Sequence, residues 1–258
     1  MRAKKSLGQH FLMHARTAER IADAAGITPT DTVLEVGPGT GLLTRALLAR
    51  AGQVVAIEKD DELIPTLQET FAKELAEGRL TLIHGDIRTA DLSTLPERYR
   101  VVANIPYYIT GEILRYFLSH SHKPTSMTLL VQKEVAERIA RSKKESLLSL
   151  SVKVYGTPKY EFTVPKGAFV PAPSVDSAVL SIRDIRQDIF VSSKEEERFF
   201  AVLHAGFAHK RKLLSGNLGV LAEKAVVSSA LQDAGIPERS RAEDITLSSW
   251  QDLARHLS

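Results

Sequence analysis

Thr32-Val33-Leu34-Glu35-Val36-Gly37-Pro38-Gly39-Thr40-Gly41 is the stretch on which the fold turns. A short apolar, β-branched run ends in an acidic residue, and glycine then recurs at every second position. That pattern describes a buried strand feeding a tight turn, with a helix starting just after it. Glycine is needed in such a turn because a Cβ would block both a positive φ and the close approach of a ligand. The dinucleotide fingerprint requires Gly or Ala at position 42, and Leu42 breaks it. The E-x-G-x-G-x-G spacing of Glu35, Gly37, Gly39 and Gly41 is instead the one used for S-adenosylmethionine. The competing reading is a glycine-rich loop with no ligand.

Working outward, Val54-Val55-Ala56-Ile57 forms a second strand ending at Glu58. An acid about twenty residues beyond the glycines is placed to accept hydrogen bonds from both ribose hydroxyls of a nucleoside. A third run, Leu80-Thr81-Leu82-Ile83, leads into Gly85-Asp86, where a carboxylate can accept from an adenine amino group. Either acid alone also reads as a solvated turn residue. Two acids at the carboxyl ends of successive strands point to a ligand, because open α/β sheets bind at that edge.

The fourth strand carries the chemistry. Arg100-Val101-Val102-Ala103 runs into Asn104-Ile105-Pro106-Tyr107-Tyr108. The amino group of adenine is a poor nucleophile because its lone pair is delocalised into the ring. A site that methylates it must accept from both N–H groups, drawing the nitrogen toward sp³ geometry. The Asn104 side-chain oxygen and the Ile105 carbonyl suit that task, since proline at 106 cannot continue a ladder. Tyr107 is expected to stack on a base removed from its helix. No general base of tuned pKa is required, because the N–H becomes acidic only as methylation proceeds. The bland alternative is an N-x-P-Y turn without function.

These motifs resemble those of the ribosomal RNA adenine N6,N6-dimethyltransferase family, specifically its 16S small-subunit branch. The resemblance runs through Lys5-Ser6-Leu7-Gly8-Gln9-His10-Phe11-Leu12, Glu35 to Gly41, Asn104 to Tyr107 and Gln132-Lys133-Glu134-Val135. It continues through Gly167 to Ser177, Phe207-Ala208-His209-Lys210-Arg211-Lys212 and Glu243-Asp244-Ile245-Thr246. It implies a cofactor pocket for S-adenosyl-L-methionine lined by Gln9, His10, Leu12, Gly37, Glu58, Asp86 and Asn104, with Glu35, Gly39 and Gly41 in its motif. It also implies that Phe169 faces the target base opposite Tyr107. The implied substrate is a pair of adjacent adenosines near the 3′ end of 16S rRNA in an immature 30S particle, each dimethylated. Members usually carry Tyr-Gly just before Leu-Ser-Val; here Leu147-Leu148-Ser149 precede Leu150-Ser151-Val152. Two alternatives stay open: the same chemistry on 23S rRNA or DNA, and a protein acting chiefly as a 30S assembly factor.

The strand rhythm predicts an α/β fold, a doubly wound Rossmann-like methyltransferase sheet with a small C-terminal helical domain. Strands are expected near 32–36, 53–57, 80–84, 100–104 and 126–132, alternating with helices such as Ala15 to Ala25, Leu42 to Arg50 and Asp61 to Glu77. Leu150 to Tyr155 and Val175 to Ile182 read as adjacent late strands forming an antiparallel edge. They flank an extended Val170-to-Pro173 segment. The expected domains are 1–184, with a basic segment at 1–14, a linker at 185–192, and a helical rRNA-contacting domain at 193–258. The lone Trp250 is assigned to a core.

Composition agrees. The 258 residues are 43% hydrophobic, enough for one large domain and a small one. There is no cysteine, hence no disulfide or thiolate chemistry. The N-terminus lacks the apolar core of a secretory signal, and no apolar run approaches the roughly 20 residues that span a bilayer. The expectation is a soluble, cytoplasmic monomer. His120, His122 and His204 lack ligand-like spacing, so no metal is assigned. The net charge is only +3, but positive residues cluster at Arg2, Lys4 and Lys5, at Arg138, Arg141, Lys143 and Lys144, and at Lys210, Arg211 and Lys212. Such clusters can neutralise RNA phosphates. Read singly, each is also a solvated helix face.

Overall fold

The structure, a computed structural model, describes Lys4 and residues 7–257. Lys5, expected to touch RNA, and Arg2 of the same positive cluster lie outside the described residues. Two compact units form, one from Met1–Glu137 and Gly156–Gln187, the other from Arg138–Tyr155 and Asp188–Ser258.

The first unit is built on a seven-stranded sheet. In chain order its strands are β2 (Thr32–Val36), β3 (Gln53–Glu58), β4 (Leu80–His84), β5 (Arg100–Asn104), β6 (Ser126–Gln132), β7 (Thr157–Val164) and β9 (Ser177–Arg183). Their spatial order is β4-β3-β2-β5-β6-β9-β7. The first five strands are parallel, and β9 and β7 add antiparallel. The central strands are near-continuous apolar runs because both sheet faces are covered. Every residue of β2 after Thr32 is buried. The chain steps from β2 through β3 to β4 on one side, then returns to place β5 on the other side of β2. Ligands bind outside the carboxyl ends of strands at such a reversal. A short strand β1 (Phe11–Leu12) pairs antiparallel with β8 (Phe169–Val170), setting Leu12 against Phe169. Helices α1 (Ala15–Ala24) and α2 (Leu42–Leu48) share a core with Val33, Val54, Ala56 and Val102 on the sheet.

Local expectations fail at two places in this region. The expected helix over Asp61 to Glu77 is two short helices, α3 (Ile64–Thr70) and α4 (Ala72–Ala76), broken at the buried Phe71. Farther along, α5 (Thr110–Ser119) and α6 (Lys133–Ala140) follow β5 and β6. Leu150 to Tyr155 is not a strand but lies largely within helix α7 (Leu147–Lys153), in the second unit. Ser146 and Ser149 close its N-terminus as a reciprocal capping box, an interaction stronger here than the local alternation of residues. The antiparallel edge is made instead by β7 with β9, and β7 carries Pro158 at the position in a sheet where proline is tolerated.

In the second unit, α8 (Ser193–Gly206), α9 (Leu214–Leu218), α10 (Lys224–Asp233) and α11 (Leu247–His256) pack around Phe199, Leu203, Leu218 and Leu253. Trp250 is fully buried as expected and stacks on Phe207 at 5.5 Å. The segment 138–155, assigned from sequence to the first domain, packs here. Lys144 pairs with Glu243, and the Glu145 N–H donates to the Glu243 carbonyl at 2.8 Å. Among the described residues, no helix is long and apolar enough to cross a membrane.

Candidate active site at the strand ends

A cleft of about 140 Å3 opens where β2, β3, β4 and β5 end. Gln9, His10, Leu12, Gly37, Gly39, Glu58, Asp86, Asn104, Ile105, Pro106 and Tyr107 all line it. Residues far apart in the chain are thus brought together by the parallel register of four strands.

The turn after β2 takes positive φ at Gly37, Gly39 and Gly41, of 70°, 59° and 82°. A Cβ on Gly37 would project into open space with nothing within 4 Å, so its absence leaves room at the cleft floor. Gly41 serves differently. A Cβ there would lie 2.5 Å from the Phe71 ring, and Gly41 is buried rather than part of the cleft lining. Glu35 does not reach the cleft either, because strand alternation turns it into the interior, 1% exposed. Neither of its oxygens has a hydrogen-bond partner among the described residues, nor does the Thr44 hydroxyl. Burial pushes its pKa up to about 8, and the Glu58 charge adds to the rise.

Glu58 is almost fully buried, yet both its oxygens are engaged by backbone. Oε2 accepts from the Gly39 N–H at 3.1 Å and Oε1 from the Asp60 N–H at 2.8 Å. Burial raises its pKa, and these two N–H groups oppose the rise. Each oxygen keeps a further lone pair for a ligand hydroxyl. Asp86 is held by Arg88, with Nη2 at 2.5 Å, and by Lys59 Nζ at 3.0 Å. Arg88 first, then Lys59, keep its carboxyl well below the ordinary range, so it is an anion at any physiological pH.

At the end of β5, Asn104 Nδ2 donates to the His10 carbonyl at 3.1 Å. A carbonyl can only accept, so this bond fixes which way the amide points. Asn104 Oδ1 is left with no partner among the described residues, and so is the Ile105 carbonyl beyond the ladder. Tyr107 donates to or accepts from Ser177 Oγ at 2.5 Å, and its ring stacks on His10 at 5.8 Å with 26° between planes. Burial raises the Tyr107 pKa, so the phenol stays neutral.

Several residues fall elsewhere than expected. Phe169 does not face the cleft; it is 2% exposed in the core, because pairing with Leu12 turns it inward while Val170 points out. Lys4 is tied to Asp60 at 2.6 Å and to Asp61 and Glu62 at 3.2 Å, so its charge is already matched. Arg138, Arg141, Lys143, Lys210, Arg211 and Lys212 are exposed, all in the second unit. Two residues that sequence reading passes over shape the site. Ser177 locks Tyr107, and Asp60, 3% exposed, gathers the N-terminal segment. Asp60 is hidden in the acidic run Asp60-Asp61-Glu62, which reads as a solvated turn.

A seven-stranded sheet with a glycine turn, a ribose-type acid and an Asn-Ile-Pro-Tyr turn at its reversal defines a Rossmann-like methyltransferase. Over residues 1–258 the chain matches ribosomal RNA adenine dimethylase, and it belongs to that family. Relatives called ribosomal RNA small subunit methyltransferase A include one from Dehalococcoides mccartyi, 45% identical over 98% of this chain and 88% of its own. Another, from Oceanobacillus iheyensis, is 38% identical over 97% of this chain and 89% of its own. The solved 23S rRNA methyltransferase ErmE is 28% identical, with a TM-score of 0.77 over 96% of this chain and 99% of that one. A dimethyladenosine transferase from Plasmodium falciparum, 24% identical, shares the fold at a TM-score of 0.81 over 95% and 96% of the two chains.

Proposed function

We propose that this chain binds S-adenosyl-L-methionine in the cleft and dimethylates two adjacent adenosines of 16S rRNA within an immature 30S particle, working as a cytoplasmic monomer. The residues present fit that cofactor. The space over Gly37 admits a ligand where any side chain would intrude, Glu58 offers two acceptor positions to a ribose, and Asp86 offers acceptors to an adenine amine. Gln9, His10 and Leu12 cover the opposite side. When bound, the cofactor supplies a methyl group on a positively charged sulfur.

One observation carries the reading. Asn104 and Ile105 both line the cleft, and the Asn104 amide commits Nδ2 to the His10 carbonyl, which leaves Oδ1 and the Ile105 carbonyl as its acceptors for a ligand. Together these accept from the two N–H groups of an adenine amine and localise its lone pair, the kind of preorganised dipole that is strongest in a water-poor site. Tyr107, one face against His10 and its hydroxyl held by Ser177, is set to stack on the extruded base. Dimethylation follows if one N–H bond suffices to hold a monomethylated amine. Arg138, Arg141, Lys143 and Lys210 to Lys212 supply phosphate contacts; Lys4 does not.

The test is transfer of labelled methyl to 30S subunits lacking dimethyladenosine, with 50S subunits alongside. Dimethyladenosine in the 30S sample alone is the expected result. The similarity to ErmE gives the second reading, action on 23S rRNA, and label confined to 50S would establish it. Binding to 30S with no label would make assembly the primary role.

A further inference from the structure

Gln9, His10, Phe11 and Leu12 line one side of the cleft, and the side chains of Lys4 and Gln9 meet at a single carboxylate. Lys4 Nζ donates to Asp60 Oδ1 at 2.6 Å, and Gln9 Nε2 donates to Asp60 Oδ2 at 2.7 Å. The Lys4 backbone N–H donates to Gln9 Oε1 at 2.8 Å, so the two residues form a ring around Asp60. One residue further on, the His10 carbonyl receives Asn104 Nδ2, and His10 Nδ1 donates to the Pro171 carbonyl at 2.7 Å. Phe11 then lies against Gly39, where a Cβ would come within 3.2 Å of its ring. From its other side, Asp60 donates its own N–H to Glu58 Oε1. A charge buried to this extent is retained only where partners satisfy it. Here those partners are the segment that orients Asn104.

We propose that Asp60 is a positioning residue for methyl transfer: it clamps Lys4 and Gln9 through both carboxylate oxygens, and so holds the His10 carbonyl where it turns Asn104 Oδ1 toward the target amine. The inference rests on the methyl-transfer reading of the cleft. It gives Lys4 a role in place of the phosphate contact expected from sequence. It also couples the ribose acceptor Glu58 to the amine acceptor Asn104 through one buried anion. The clamp acts on orientation, so its loss lowers kcat while leaving the KM for RNA in place. A misplacement of about 1 Å at a reacting group can lower the rate on the order of a hundredfold.

Asp60 also serves its own turn, since its Oδ1 accepts from the Glu62 N–H at 3.2 Å before α3. Asp60→Asn keeps an acceptor for that turn but removes the ion pair. Lys4→Met, at a partly exposed side chain, removes the same pair from the other end without touching the turn. Two readouts apply to each variant and to the double variant. The first is hydrogen exchange at Gln9 to Leu12 in the protein alone, without RNA. The second is kcat for methyl transfer to 30S subunits. Expected are faster exchange at Gln9 to Leu12 in both single variants, kcat lowered about ten- to a hundredfold, and a double variant no worse than the weaker single one. Unchanged exchange and kcat in Lys4→Met, or losses that multiply in the double variant, would overturn the clamp. Faster exchange in variants of a wild-type chain that methylates nothing would support the clamp and overturn only the reading of the function.

Discussion

Asn104 carries one donating and one accepting atom on its amide, and the protein commits the donor to the His10 carbonyl, 3.1 Å away. The acceptor is thereby preset, so no reorientation is needed when substrate arrives. Asn104→Ala is expected to lower kcat by about 10²–10³-fold, the loss typical when a preorganised group of this kind is removed. RNA affinity, measured by filter binding, should stay near wild type; full turnover would mean the amine is activated some other way. Glu35 makes a different claim. Its pKa stands at about 8 in the folded chain against an ordinary 4.5, so the folded state binds more protons than the unfolded one between those values. Stability therefore falls as pH rises across that window, and this loss is complete above it. Glu35→Gln removes the titration. In calorimetry of the cofactor-free protein, its melting temperature should gain on wild type from pH 4.5 to 8 and hold that gain above. A gap that does not change with pH would show Glu35 to be charged throughout.

At the scale of elements, the turn between β2 and α2 is constrained twice. Gly41 sits at a φ of 82°, and a Cβ would be driven to within 2.5 Å of Phe71. Gly41→Ala combines left-handed strain with overpacking, and each is worth about 1–3 kcal/mol of stability. A lower denaturant midpoint and weaker cofactor binding are expected together, because the same turn forms the cleft floor. This turn, and the strands feeding it, are legible because a period of apolar residues and three glycines act locally. The edge of the sheet is not. Leu150-Ser151-Val152-Lys153 alternates as a strand would, yet Leu150 and Val152 are both fully buried in a capped helix. Its fate depends on Ser146 and on distant partners. The real edge strand, Thr157–Val164, carries a proline at its second residue and is broken by a register shift between Tyr160 and Phe162, so it shows little alternation. Phe169 escapes a sequence reading for a related reason: two-residue strands have no period to read, and only pairing with β1 decides which way each side chain points.

For the molecule as a whole, sequence marks a helical C-terminal part but not that residues 138–155 belong with it. Their attachments are remote in sequence: Lys144 to Glu243, Tyr155 to Glu196, and the Tyr155 ring on Phe200 at 6.1 Å. No local pattern announces pairings of that separation. The consequence is electrostatic. Arg138, Arg141 and Lys143 fall in the same unit as Lys210, Arg211 and Lys212, while Lys4 is neutralised in the other unit. The modest net charge of +3 therefore hides a gathering of exposed positive residues in one unit. Binding through them releases counterions, so affinity for 30S subunits should fall steeply with salt. Replacing Lys210, Arg211 and Lys212 together with glutamine should weaken binding across rRNA sequences alike. The slope of log affinity against log salt should shrink by about one for each phosphate that is no longer neutralised. Turnover at saturating subunits should persist, because none of the three lines the cleft. An unchanged salt slope would assign the RNA footprint to Arg138, Arg141 and Lys143, and the same titration on variants of those residues would then carry the full loss.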